Sequence, residues 1–327
     1  MSGGSVEGVL LGFGIVLVIV AVGFAAAAIL PQKAPDMQRG LTPVIFYITN
    51  PALMLVLLAD ADLASVVGVY TPIALITATV AGAGYALFSR FVLRRSAAQT
   101  AGGAMASTYV NAGNIGVPIA LYAVGSADPV VSVLLAQLLV IAPIYLSIFA
   151  WCQRKAAAVK PHYSDGGAPA AAPLWRTVVR SILNPVTVAT AVGALMSLTG
   201  LHLPEVLWTP IEMVGNASIP LLLMLFGMSL YGQKPLAQRS LRADVALGSV
   251  VKLMLMPALA WAIGHFLFHL DGVPLLGVVV MAALPTAQNV FLFASQFRMQ
   301  STLVRDIIFL SSMLSLPAVL LVALLLG

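Results

Sequence analysis

The placement of the basic residues constrains this chain more than any other feature of its sequence. Fifteen of its sixteen Lys and Arg residues lie in alternate gaps between long apolar segments. The gaps in between, for example Ser126 to Pro129 and Leu270 to Pro274, contain none. Lys and Arg concentrate in the cytoplasmic loops of membrane proteins. The alternation therefore predicts a chain that crosses a membrane many times, with its basic gaps in the cytoplasm. The fifteen residues are Lys33, Arg39, Arg90, Arg94, Arg95, Arg154, Lys155, Lys160, Arg176, Arg180, Lys234, Arg239, Arg242, Arg298 and Arg305.

The composition supports an integral membrane protein and excludes several functional classes. The chain has 327 residues, of which 61% are hydrophobic and 8% charged, whereas soluble domains carry roughly 25% charged residues. The positive-inside bias accounts for the net charge of +5, so no nucleic-acid partner is expected. Cys152 is the only cysteine, and the four histidines form no HExxH metal motif. We therefore expect no cofactor, no metal and no catalytic centre.

The apolar runs predict an all-α polytopic membrane protein with ten transmembrane helices. A membrane helix needs about 20 mostly apolar residues, and no basic residue precedes the first run, which argues against a cleaved signal peptide. Ten spans place both termini on one side, which the charge rule makes the outside. The predicted spans are roughly 8–30, 41–58, 66–89, 98–123, 129–151, 177–200, 209–231, 245–267, 275–297 and 304–326.

The longest polar gap divides these spans into two sets of five. Residues 152–175 are rich in Ala, Pro and Gly and are predicted to form a cytoplasmic linker between residues 1–151 and 176–327. Because five is odd, two similar halves must have opposite orientations. The polar segment that begins at Asn111 in span 4 aligns with the segment that begins at Thr286 in span 9. Inverted repeats of this kind are a common transporter plan, with the substrate site at the repeat interface.

Spans 4 and 9 have the composition of broken helices. Gly113, Gly116 and Pro118 in span 4 and Pro285 in span 9 are predicted to interrupt them, because proline removes a helical donor and glycine adds backbone freedom. A half-helix that begins inside the membrane presents unpaired N–H groups and a partial positive charge at its N-terminus. Such an end binds anions without a buried cation.

The amides beside these interruptions are the candidate ligands of a central anion or carboxylate site. The alternative interpretation is that they join helices to one another, since amides are common at membrane helix interfaces. Asn50, next to Pro51, extends the polar lining in the first interpretation and satisfies a proline kink in the second. The candidates are Asn111, Asn114, Gln288 and Asn289, with Thr286 as a further oxygen ligand and Asn50 as an extension.

Lys252 is the one basic residue that lies inside an apolar segment. It is about seven residues into span 8, or roughly 10 Å from the cytoplasmic end. Either it extends to the interface along its aliphatic stem, or it is a buried cation that attracts an anionic substrate. No carboxylate occurs deep in any span, so a proton relay through Asp or Glu is not expected. No Walker A motif is present, which leaves ATP-driven transport unsupported.

These motifs resemble the auxin efflux carrier family. The resemblance rests on Asn111-Ala-Gly-Asn-Ile-Gly-Val-Pro118 in span 4, on Ala282 to Pro285 with Phe291 to Ala294 in span 9, on Asn184-Pro185, and on Ser315-Leu-Pro317. It extends over the whole chain and implies five plus five spans with crossing helices 4 and 9, a fold similar to bile-acid symporters. The carboxylate site of the family falls on Asn111 and Pro285. Val110 stands where the plant PIN-type auxin exporters have a crossover proline.

The resemblance implies a bacterial carrier for malonate, malate or another organic acid, placed in the inner membrane as a multi-pass protein. We expect a secondary transporter of a small organic anion, a mono- or dicarboxylate with auxin-like molecules included, that works by alternating access. A sodium-coupled symporter of the bile-acid type and a membrane sensor that binds a ligand without moving it are the alternatives. The expected partners are the anion, the lipid bilayer and, as an open alternative, a second copy of the chain in a homodimer.

Overall fold

A computed structural model describes residues 3–61, 66–159, 185–232, 236–297 and 299–326. These residues are helical almost throughout, and their regular hydrogen bonding is what a chain needs where no water is present to satisfy its backbone. We number the helices α1 to α12. They are α1 Gly3–Ile29, α2 Ala34–Ala59, α3 Val67–Val92, α4 Ala97–Thr108, α5 112–124, α6 Asp128–Lys155, α7 Pro185–Thr199, α8 Glu205–Leu230, α9 Arg239–Leu267, α10 Gly272–Ala283, α11 Asn289–Gln296 and α12 Ser301–Leu326.

The helix lengths make this an integral, multi-pass membrane protein. Within the described ranges, α2, α3, α6, α8, α9 and α12 are each long and apolar enough to cross a membrane. Leu17–Ile29 of α1, α7 and α10 are shorter apolar helices. Helix α6 continues beyond Lys155 to Val159, although the linker was predicted to begin at residue 152. The rest of that linker, and the predicted start of span 6, lie outside the described residues.

Helices α1, α2, α7 and α8 pack together as one bundle, which we call the first bundle. Glycines allow the closest contacts within it. A Cβ built on Gly227 of α8 would overlap the carbonyl oxygen of Val20 in α1. A Cβ built on Gly193 of α7 would lie 2.5 Å from the carbonyl oxygen of Leu55 in α2. Small residues at such contacts let membrane helices approach backbone to backbone, which is where dispersion contacts stabilise them.

Helices α3, α4, α6, α9, α10 and α12 pack together as the second bundle. An ion pair joins α9 to the segment that follows α3, at the end of the bundle where the basic residues of the gaps lie. Arg95, which follows α3, donates from Nε and Nη2 to the two oxygens of Asp244 in α9 at 3.0 and 2.7 Å. Asp244 is fully buried, so two parallel hydrogen bonds to one guanidinium offset its loss of hydration.

Candidate functional site

Two helices are interrupted inside the second bundle, and the interruptions cross. Tyr109 to Asn111 separates α4 from α5, and residues 284–288 separate α10 from α11. Val110 and Thr286 form an antiparallel bridge. The Asn111 N–H donates to the Pro285 carbonyl at 2.8 Å, and the Ala287 N–H donates to the Tyr109 carbonyl at 3.0 Å. Each non-helical segment therefore satisfies backbone groups of the other, which removes much of the cost of unwinding in an apolar environment.

Thr286 connects the crossing to α4 and α12 through hydrogen bonds. Its side chain is fully buried. Its hydroxyl donates to the Ala106 carbonyl of α4 at 2.6 Å, and its N–H donates to the Ser311 hydroxyl of α12 at 3.1 Å. The sequence marks Thr286 as an oxygen ligand, but its hydroxyl is used within the protein and does not line the large cavity described next.

A cavity of about 520 Å³ lies against the crossing, between the two bundles. One wall belongs to α2, α7 and α8 and the other to α6, α12 and the crossing segments, and it extends to the end that carries the basic gaps. Its lining is mostly apolar, with Thr42, Asn50, Tyr109, Asn111, Gln137, Ser229, Gln288, Asn289, Arg305 and Ser312 as its polar side chains.

Helix N-terminal ends lie on one side of the crossing, and helix C-terminal ends lie on the other. Residues at the N-terminal ends of α5 and α11, namely Asn111 to Gly113 and Ala287 to Asn289, line the large cavity. Thr108 and Ala282, at the C-terminal ends of α4 and α10, line a separate small cavity of about 30 Å³. Unpaired N–H groups and the positive end of the helix dipole thus face the large cavity. Helix ends of this polarity favour an anion over a cation.

The structure brings most of the predicted amides together. Asn50, Asn111, Gln288 and Asn289 all line the large cavity. Asn111 precedes α5 directly, yet its side chain makes no capping hydrogen bond to that helix. The Asn50 Oδ1 atom is buried and has no hydrogen-bond partner among the described residues. The backbone of Asn114 lies in α5, and its side chain is outside the described part of the structure.

Of the four residues predicted to break the helices, only Pro285 lies in an interruption. Pro285 lies within the non-helical segment that precedes α11. Gly113, Gly116 and Pro118 lie within α5, in the helical residues that follow the span 4 interruption. The span 4 interruption is at Tyr109 to Asn111, where the bridge to Thr286 replaces helical hydrogen bonds.

Lys252 lies away from the large cavity. It is fully buried in α9, and its Nζ donates to the Ala282 carbonyl at 2.8 Å. That carbonyl belongs to the last turn of α10, where helical partners run out and the dipole is negative. The side chain therefore neither reaches the interface nor lines the large cavity. It satisfies and stabilises the helix end that the crossing creates.

Gln137 and Arg305 are among six polar residues of the cavity that are absent from the sequence-based candidates. Gln137 of α6 is 3% exposed, lines both cavities, and its Oε1 has no hydrogen-bond partner among the described residues. In the sequence, Gln137 could have been noticed as a single amide within an apolar run. The sequence pattern places Arg305 at the cytoplasmic start of predicted span 10, and the structure places it in the first turns of α12, where it lines the cavity.

Comparison with known proteins identifies the family. No curated protein sequence matches the chain. The profile of the family described as "Membrane transport protein", to which the auxin efflux carriers belong, matches residues 14–323. The match includes both crossing segments and every residue of the cavity. The chain is therefore a membrane transport protein of the auxin efflux carrier family.

Proposed function

We propose that this protein is a secondary transporter of a small organic anion and that its substrate carboxylate binds at the crossing of the interrupted helices. The observation that carries the proposal is the convergence of two helix N-terminal ends on one cavity, with the amides of Asn111, Gln288 and Asn289 around them. Amide N–H donors and helix N-termini bind carboxylates in this way. The unpartnered Oδ1 of Asn50 is an additional acceptor for a donor group on the ligand.

Alternating access is the mechanism that this cavity supports best. The cavity lies between the bundles and extends to one end of the molecule. Beyond the crossing, Leu58 of α2 packs against Val131 and Leu135 of α6, which closes the opposite end. Movement of one bundle against the other opens this contact and closes the cavity's present mouth, so the substrate is exposed to each side in turn.

The finer topology belongs to the same proposal. The helices form ten spans in two inverted sets of five, with α4 and α5 together as one span and α10 and α11 as its counterpart. The positive-inside rule then places both termini outside, and the cavity opens to the cytoplasm. The bacterial inner membrane is the expected location.

The test is uptake of labelled carboxylates into liposomes that contain the purified protein. Asn111→Ala and Asn289→Ala each remove an amide from the cavity, and we expect each to reduce uptake about tenfold or more, the effect of losing a charge-assisted hydrogen bond. Asn216→Ala is the matched control, because Asn216 is an exposed amide in α8 that does not line the cavity. Full activity in both cavity variants at normal expression contradicts the proposal.

The sodium-coupled alternative has one observation in its favour. The small cavity adjoins the C-terminal ends of α4 and α10 and contains two buried oxygens, Thr77 Oγ1 and Gln137 Oε1, without partners among the described residues. Lys252 already donates to the Ala282 carbonyl at that end, which disfavours a second cation. Replacing sodium by choline in the uptake assay decides between the two, since only the symporter loses activity.

A further inference from the structure

Arg305 differs in charge from everything else around the large cavity. Among the described residues that line this cavity, it is the only Lys, Arg, His, Asp or Glu. Its side chain is 45% exposed, so the guanidinium is accessible to a ligand. An arginine binds carboxylates with geometric specificity as well as charge.

Asp306 holds this guanidinium in place without using all of its donors. Arg305 Nε and Nη2 both donate to one oxygen of Asp306, at 3.1 and 2.9 Å. The other oxygen of Asp306 accepts the Leu236 N–H at 3.1 Å, and the carboxylate is 1% exposed. A guanidinium has five N–H donors, so both donors of Nη1 and one of Nη2 remain for a ligand. Asp306 thus acts as a positioning residue for Arg305.

Arg305 and the crossing are separate points along one cavity. The Ser311 hydroxyl, which accepts from the Thr286 N–H, marks the level of the crossing on α12. Arg305 lies six positions earlier on the same helix, which is roughly 9 Å along the axis. Apolar residues of α12, Ile308 and Phe309, line the wall between them. The cavity therefore has two anion-attracting ends joined by an apolar stretch.

We propose that Arg305 binds a second acidic group of the substrate and thereby selects dicarboxylates over monocarboxylates. The inference rests on the proposed function, since the first carboxylate is the one held at the crossing. The methylene chain of a dicarboxylate lies along the apolar wall, and its far carboxylate meets the three unused donors of Arg305. A monocarboxylate of the same length leaves those donors to water.

The experiment compares ligands that differ by one carboxylate at constant carbon number: succinate with butyrate, and adipate with hexanoate. Dissociation constants come from ligand-induced thermal shifts of the full-length purified protein, and competition for uptake gives an independent ranking. The variants are Arg305→Gln and the double variant Arg305→Gln/Asp306→Asn, which leaves no unpaired buried carboxylate if the single variant folds poorly. Arg239→Gln is the control, because Arg239 is an exposed arginine outside the cavity.

We expect the wild-type protein to prefer the dicarboxylate of at least one pair by about tenfold or more. We expect the Arg305 variants to lose that preference while they still bind the monocarboxylates, and Arg239→Gln to retain it. A preference that persists without Arg305, or a wild-type protein that favours the monocarboxylate in both pairs, overturns the inference and leaves the proposed function in place. A wild-type protein that binds none of the four acids, nor any other carboxylate, overturns both.

Discussion

At the scale of single residues, Gln137 is the clearest case in which stability and function conflict. Its side-chain oxygen is buried without a partner among the described residues. An unsatisfied buried polar atom costs about 1–3 kcal/mol, so its presence is explained if a ligand or an ordered water supplies the missing hydrogen bond during transport.

Gln137→Leu should therefore raise the thermal stability of the detergent-purified protein and at the same time reduce transport severalfold. Thr77→Val is the matched control, because Thr77 Oγ1 is also buried and unpartnered but lines only the small cavity. We expect it to raise stability with a smaller effect on uptake. Thermal unfolding and liposome uptake, measured on the same preparations, test both expectations. Equal losses of transport in the two variants contradict a specific role for Gln137 in the large cavity.

At the scale of helices, the first bundle depends on close approach at glycine. The contact of Gly227 in α8 with Val20 in α1 leaves no space for a side chain, since even a methyl group lies far inside the contact distance of the Val20 carbonyl. The two helices must separate to accept any larger residue, which removes dispersion contacts along both of them.

Gly227→Ala should lower the unfolding temperature of the purified protein, with an expected cost of about 1–3 kcal/mol for overpacking. Gly40→Ala provides the comparison, because Gly40 lies in α2 with nothing within 4 Å of a built Cβ. Alanine is also the better helix former, so the control variant should be as stable as the wild type or more so. A Gly227→Ala protein as stable as the Gly40→Ala protein means that α1 and α8 are not packed as closely as described.

At the scale of the whole molecule, Leu58 in α2 packs against Val131 in α6, across the boundary between the two bundles. The two residues belong to different bundles, so alternating access requires them to separate in each transport cycle.

A covalent link between these positions should stop transport. With Cys152→Ser to remove the native thiol, Leu58→Cys/Val131→Cys treated with a short bifunctional thiol reagent should lose uptake. Each single cysteine variant, treated in the same way, should retain it. If the reagent contains a disulfide, addition of a reductant should cleave the link and restore uptake. Undiminished transport by the cross-linked protein contradicts a cycle in which this contact opens.

The sequence was sufficient to identify a multi-pass membrane protein of this family. Long apolar runs and alternating basic gaps reflect the requirement that each segment satisfy its own backbone in lipid, which is a local property that a sequence records. The amides Asn50, Asn111, Gln288 and Asn289 were also recognisable, because an amide beside proline or glycine in an apolar run is unusual wherever the neighbouring helices lie.

Only the tertiary structure decided what those residues face. The interruption of span 4 falls at Tyr109 to Asn111, ahead of the glycines and proline that suggested it, because the bridge to Thr286 replaces the lost helical hydrogen bonds there. In the folded chain, Lys252 donates to the carbonyl of Ala282 at the end of α10, and Arg305 lines the large cavity. The sequence distinguished Lys252 from Arg305 but did not show the environment of either, since burial and hydrogen-bond partners depend on contacts between segments far apart in the chain.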